Sequence, residues 1–185
     1  MDETSHSFQL GTFAMAGRRF PGLLLAGGRV VELSEVATSV RELFDDWCES
    51  LERLGEIAGG EPECLALEDL AVTAPIEPRQ IVQAGGNYRG HLLQISIDEQ
   101  LAAGVSLEVA RSRAPALMEL RLEGAEPFFF LGAVGSVCGP YDDVELHDRG
   151  ELHEWEAELG VIVDAEGQAA AYTVANDIST PDLAM

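Results

Sequence analysis

Glu154, Glu156 and Glu158 alternate along an otherwise apolar, strand-like run, HEWEAELGVIV, and Asp177 lies near the end of the next such run. Side chains two apart on a strand point to the same face, so the three glutamates form one row. Like charges crowded on one face repel. On a solvated face, water relieves that repulsion. A hard divalent cation such as Mg2+ would turn the repulsion into binding, because such ions prefer carboxylate oxygens. Both readings, solvated face and cation site, stand on these residues alone. The connecting Asp164-Ala-Glu-Gly167 reads as a short turn, with Gly167 free to take positive φ. A turn centred near residue 166 pairs a strand from about 155 to 163 with one from about 169 to 177. Asp177 then falls opposite residue 155 or 156. A one-residue change of register decides whether it joins the glutamate face.

His91 is the other group suited to proton transfer. It follows Gly85-Gly86-Asn87-Tyr88. Taken alone, a histidine is a packed or surface residue as readily as a base. The Gly-Gly pair is not a dinucleotide loop, since GxGxxG is absent and no β-α-β pattern follows. Neither Ser nor Cys sits in an elbow motif, which leaves a covalent triad without support. Cys48, Cys64 and Cys138 are far apart with no CxxC spacing. That argues against zinc or a disulfide framework and for a reduced, cytoplasmic setting.

The elements that must position these groups read as follows. Residues 7–33 suggest a small β unit, with apolar runs flanking Gly27-Gly28 as in a hairpin. Ser39-Val-Arg-Glu42 is a capping box, and Val40, Leu43, Phe44, Trp47, Leu51 and Leu54 follow at helical spacing, up to Gly59-Gly60. That stripe is core packing. Glu- and Pro-rich sequence then leads to a boundary near 76. Residues 1–75 are expected to form a small N-terminal β/α domain, and residues 76–185 a second domain. Gln80 to Ala84 reads as a strand, 89–103 as a helix ending near Gly104, and 107–120 as a weaker helix. Phe128 to Leu131 reads as a buried strand, and Gly139-Pro140 as a turn. The expected class is α+β, rich in β.

Composition limits the partners. Thirty-three acidic against 11 basic residues give a net charge of −22, spread along the 185 residues. Nucleic acid and anionic membranes select basic patches, so neither is an expected partner. The acidic N-terminus is not a secretory signal, and no run of about 18 apolar residues suggests a membrane span.

Five segments in order resemble the fumarylacetoacetate hydrolase family. LGTFAMAGRRFPGLLLAGGRVVEL is similar to the small domain of bacterial members. AGGNYRGH is similar to the opening of the catalytic domain, with its G-x-NY-x-x-H pattern. PFFFLGAVGSVCGPYDDVEL resembles the segment before the metal strand. EWEAELGVIV resembles the Glu-x-Glu strand, and AYTVANDIST-x-D resembles the YT-x-x-ND-x-[ST]-x-R-D segment. The resemblance implies a partial mixed β-roll as the second domain. It also implies Mg2+, or Mn2+ or Ca2+, held by Glu156, Glu158 and Asp177, with Glu154 an outer carboxylate. His91 would activate water. Tyr88 suits a hydrogen bond to the substrate and packing equally. The implied substrate is an acylpyruvate-like 2-keto or 1,3-diketo acid, cleaved at a carbon–carbon bond through a metal-stabilised enolate. Relatives use similar chemistry for decarboxylation or tautomerisation. A homodimer is the implied assembly.

The chain departs from the family pattern in four places. Gln94 stands where many members have an acidic partner for the histidine, and Pro181 stands where they have Arg, beside Asp182. The turn between the two strands is short. The chain stops at Met185, soon after the metal Asp, and no residue maps to the family's catalytic lysine. These departures imply a truncated or divergent member. Its alternative role is a catalytically impaired metal-binding or interaction module.

Overall fold

The computed structural model describes residues 8–183. They form two compact units, one of residues 8–78 with 137–183 and one of Arg79–Ser136.

The first unit begins with β1 (Gln9–Met15), β2 (Arg18–Leu25) and β3 (Arg29–Glu32), each antiparallel to the next. Gly27 and Gly28 both take positive φ in the expected turn between β2 and β3. An earlier turn, not separated in the sequence reading, lies at Ala16-Gly17, with φ of 50° and 79°. Positive φ at both central residues suits the right-handed twist of a two-residue hairpin. Helix α1 (Trp47–Gly59) follows, then the short strands β4 (Leu65–Ala66) and β5 (Ala71–Val72), giving the order β4-β3-β2-β1-β5. Strand alternation sends Leu23, Leu25, Val31 and Leu33 to one face, where they pack with Leu43 and Leu54. Phe13, Phe20, Val30 and Leu70 form the core on the other. The Phe13 ring lies over Gly22, where a Cβ would sit 2.6 Å from it. Glycine is therefore required there by close approach.

The expected helix from the capping box is split. Ser39 Oγ accepts the N–H of Glu42, but the Glu42 carboxylate bonds the N–H and hydroxyl of Thr38 instead of closing the box. A 3-10 turn over Glu42–Phe44 results, and the α-helix restarts at Trp47, where Asp46 Oδ1 accepts the N–H of Glu49. The stripe is core as expected at Val40, Leu43, Phe44 and Leu54, whereas Leu51 is 45% exposed.

Arg18 grips the Glu32 carboxylate with both terminal nitrogens, at 2.5 and 2.8 Å, and Ser34 adds a 2.5 Å bond. The Arg18 hydrogen bond, then that of Ser34, hold the Glu32 carboxyl down at about 2. A depressed carboxyl stabilises the fold above its unfolded pKa, near 4.5, and the gain is lost as pH falls through about 2. Glu32→Gln should therefore melt below the native chain at pH 6, with the gap closing as pH falls towards 2. A gap that does not change with pH would contradict this assignment.

The second unit contains β6 (Ile81–Gly85), α2 (Arg89–Ala102), α3 (Leu107–Leu122) and β7 (Phe128–Gly132). Ile97 packs against Ala110 and Ala114, whose small side chains let the two helices approach closely. Arg121–Glu99 at 2.6 Å and Arg89–Glu119 link α2 and α3 at the surface. Phe128 to Leu131 form a strand but are not buried, with exposures of 66, 60, 44 and 68%. The reason is the sheet's size. β7 pairs with β6 alone among the described strands, and a two-stranded sheet leaves its faces open.

Strands β8 (Glu154–Val163) and β9 (Ala169–Ser179) form a further antiparallel hairpin in the first unit. Its turn meets the N-terminal part where the Ala165 N–H donates to the Phe44 carbonyl at 3.1 Å.

Candidate functional site

The β8–β9 turn is built by Asp164. Its Oδ1 accepts the N–H groups of Glu166 and Gln168 at 3.0 and 2.8 Å, and Gly167 takes φ of 78°. From this turn the strands run with a register shift between Ile162 and Val163. Val163 pairs with Ala169 and Ile162 with Ala171, which leaves Ala170 as a bulge residue. The question of register that the sequence left open is answered beyond the bulge. Asp177 pairs with Glu156, and Glu158 pairs with Ala175. Directly opposed residues share a face, so Glu156, Glu158 and Asp177 stand together on one side of the hairpin. All three are half-buried, whereas Glu154, at the end of the row, is exposed.

The donors are all hard carboxylate oxygens carrying formal charge −3, the chemistry that Mg2+ and similar ions select. Among the described residues, no group of three His, Cys, Asp or Glu side chains is gathered closely enough as placed to hold an ion, these three included. The opposite face holds Trp155, Leu159, Val161, Tyr172 and Val174, all exposed. The hairpin thus segregates acid from apolar side chains with period two.

Tyr88, His91 and Gln94 lie in the second unit, within or just before the first turns of α2. Tyr88 is the N-cap residue, and its carbonyl accepts the Leu92 N–H at 3.0 Å. Gly86, at φ of 62°, turns the chain from β6 into the helix. His91 is exposed. Gln94, one turn on, donates from Nε2 to Asp98 Oδ1 at 2.9 Å. The structure therefore brings Glu156, Glu158 and Asp177 together in one unit, and Tyr88, His91 and Gln94 together in the other. Ala170 escaped the sequence reading. In Ala169-Ala170-Ala171, three identical small side chains carry no signal for which one is extra.

No protein-family model matches the chain. Among curated proteins it is similar to fumarylacetoacetate hydrolase domain-containing protein 2 of Pongo abelii, 37% identical over 70 residues, which cover 32% of this chain and 22% of that protein. It is also similar to the mitochondrial oxaloacetate tautomerase fahd2 of Xenopus laevis, 23% identical over 174 residues, covering 86% of this chain and 47% of that protein. Among solved structures, the fumarylacetoacetate hydrolase from psychrophilic Exiguobacterium antarcticum superposes with TM-score 0.60 at 22% identity, over 96% of this chain and 58% of that one. A 2-keto-3-deoxy-D-arabinonate dehydratase, complexed with magnesium and 2,5-dioxopentanoate, superposes with TM-score 0.57 at 18% identity, over 94 and 56%. These superpositions show a shared α+β fold, of which this chain forms part. At 47%, the chain spans about half the length of the Xenopus protein. No described helix is long and apolar enough to cross a membrane.

Proposed function

The chain belongs to the fumarylacetoacetate hydrolase family, and from that premise we propose that it is a metal-dependent enzyme acting on 2-keto or 1,3-diketo acids. The observation that carries the reading is the pairing of Asp177 with Glu156 on the face that also holds Glu158. These three carboxylates are the proposed ligands of Mg2+, Mn2+ or Ca2+. A divalent cation bound there would polarise the oxygens of a chelating substrate and ease departure of a carbon leaving group. The chain's own residues supply the rest. His91 takes the proton of the attacking water, and Tyr88 donates a hydrogen bond to the substrate. Hydrolysis of the carbon–carbon bond is the proposed outcome.

A second reading, a metal-binding module without turnover, is favoured by one contact. The Gln94 amide is engaged with Asp98, and a neutral amide brings no charge to stabilise an imidazolium.

Acylpyruvates and simpler 2-keto acids, offered to chelator-treated and Mg2+- or Mn2+-loaded protein, separate these readings. Turnover that appears only with metal is the expected result. Metal binding without turnover of any of them would favour the module. Turnover indifferent to chelator would refute the metal-dependent reading.

A further inference from the structure

Two registers can be written for the β8–β9 hairpin, with or without the bulge, and one alone gathers the carboxylates. Counted outward from Val163–Ala169 without interruption, Glu156 would meet Asn176, and Asp177 would meet Trp155 on the apolar face. The extra residue at Ala170 moves every later pair by one and brings Asp177 to Glu156. The alanines beside the turn do not favour that choice. Three consecutive alanines pack alike in either register, and a bulge leaves one residue outside the ladder.

Along the ladder the observed register sets Trp155 opposite Ile178, Leu159 opposite Val174 and Val161 opposite Tyr172 on the apolar face, and the hairpin's other end adds contacts of its own. The last ladder pair is Glu154–Ser179. Beyond it the same register continues through side chains. His153 Nδ1 lies 3.0 Å from Thr180 Oγ1, and Asp182 Oδ2 accepts the N–H of Glu151 at 2.7 Å. In the uninterrupted register His153 would face Ser179, and Glu151 would face Pro181, which has no side-chain acceptor. Pro181 opens a 3-10 turn over Pro181–Leu183, closed by the Leu183 N–H on the Thr180 carbonyl at 3.0 Å, and this turn directs Asp182 back across the strand end. Gly150 completes the fit. Its φ is 82°, and a Cβ there would sit 2.4 Å from Thr180 Cγ2.

We propose that Gly150, Thr180 and Asp182 form a register clasp that holds Asp177 opposite Glu156, which makes them positioning residues for the carboxylate row. The functional consequence rests on the metal-site reading above, whereas the effect on register does not. The shared logic is that a contact available in one register alone biases a two-state equilibrium towards it.

The test compares the native chain with Asp182→Ala, Asp182→Asn and Asp182→Ala lacking Ala170. Cross-strand NMR contacts report the register, and Mn2+ titration reports the row. Native and Asp182→Asn chains should show Glu156–Asp177 contacts, because the amide oxygen still accepts from Glu151. Asp182→Ala should gain Glu156–Asn176 contacts and bind Mn2+ about tenfold more weakly. Deleting Ala170 removes the bulge yet leaves Asp177 opposite Glu156 in a regular ladder, so the double variant should recover both readouts. An Asp182→Ala chain that keeps the native contacts overturns the clasp. One that slips register but binds Mn2+ undiminished overturns the positioning role. A native chain with the correct register and no Mn2+ affinity refutes the metal reading, with the clasp then decided by the NMR contacts. Should Asp182→Ala fail to fold, Thr180→Val decides it. The Glu151 amide should exchange about tenfold faster, and unchanged exchange overturns the clasp.

Discussion

Replacing His91 with alanine is expected to lower turnover of a 2-keto or 1,3-diketo acid by about 10²–10⁴-fold, the usual contribution of a positioned general base. Mn2+ affinity should not change, because His91 is not one of the proposed ligands. The neighbouring residue gives the prediction a second arm. Gln94 sits one helical turn from His91 and spends its amide on Asp98. Gln94→Glu would supply a charged partner, but it would also place like charges four apart on α2, at a cost of about 0.2–0.5 kcal/mol. The cleaner variant therefore combines Gln94→Glu with Asp98→Asn. It should raise turnover if the missing acid limits the native chain. A His91→Ala rate within a few-fold of native would remove His91 from the chemistry.

Phe20→Ala should cost about 3–5 kcal/mol of stability, the range for deleting a buried phenylalanine. Phe20 is 2% exposed, its ring lies 6.2 Å from that of Phe13, and Val30 and Leu70 close the same cluster. The Phe13 ring is itself pressed over glycine backbone, so the sheet has little freedom to collapse into the void. Arg18 rests over the Phe20 ring, 4.9 Å from its centroid, and would lose that contact as well. Against a total of about 5–15 kcal/mol for a typical domain, such a loss is large. Denaturant melts would show it as a lower midpoint at constant slope, and a loss under about 1 kcal/mol would mean that this cluster does not act as a core.

The parts of this fold legible in the sequence were those with a local physical signature. The Gly27-Gly28 and Asp164–Gly167 turns followed from turn chemistry, and α2 ends beside Gly104 as expected. The carboxylate row of β8 was visible because period two needs no partner to be read. Its junction with Asp177 was not, since register depends on a bulge among three alanines and on contacts at the strand ends. The helix expected from Val40 broke because Glu42 found Thr38, a competition between two nearby hydrogen-bond partners that a capping pattern does not encode. Phe128 to Leu131 misled for a different reason. An apolar run announces what a strand would gain from burial, but whether a layer covers it depends on the other elements around it. Pro181, which stands where the family pattern has Arg, has a visible use in starting the turn that presents Asp182.

The central claim is that Glu156, Glu158 and Asp177 hold a divalent cation. A thermal melt of the 185-residue chain with and without millimolar Mn2+, run beside Glu156→Ala, tests it most directly. At a metal concentration 100 times Kd the folded state gains about 2.7 kcal/mol. For a chain of this size that corresponds to a rise in Tm of roughly 5–10 °C. The account predicts that rise in the native chain and its loss in Glu156→Ala, which should also melt slightly higher than native in metal-free buffer as repulsion with Asp177 is relieved. A native midpoint blind to Mn2+, or a rise that survives Glu156→Ala, would contradict it.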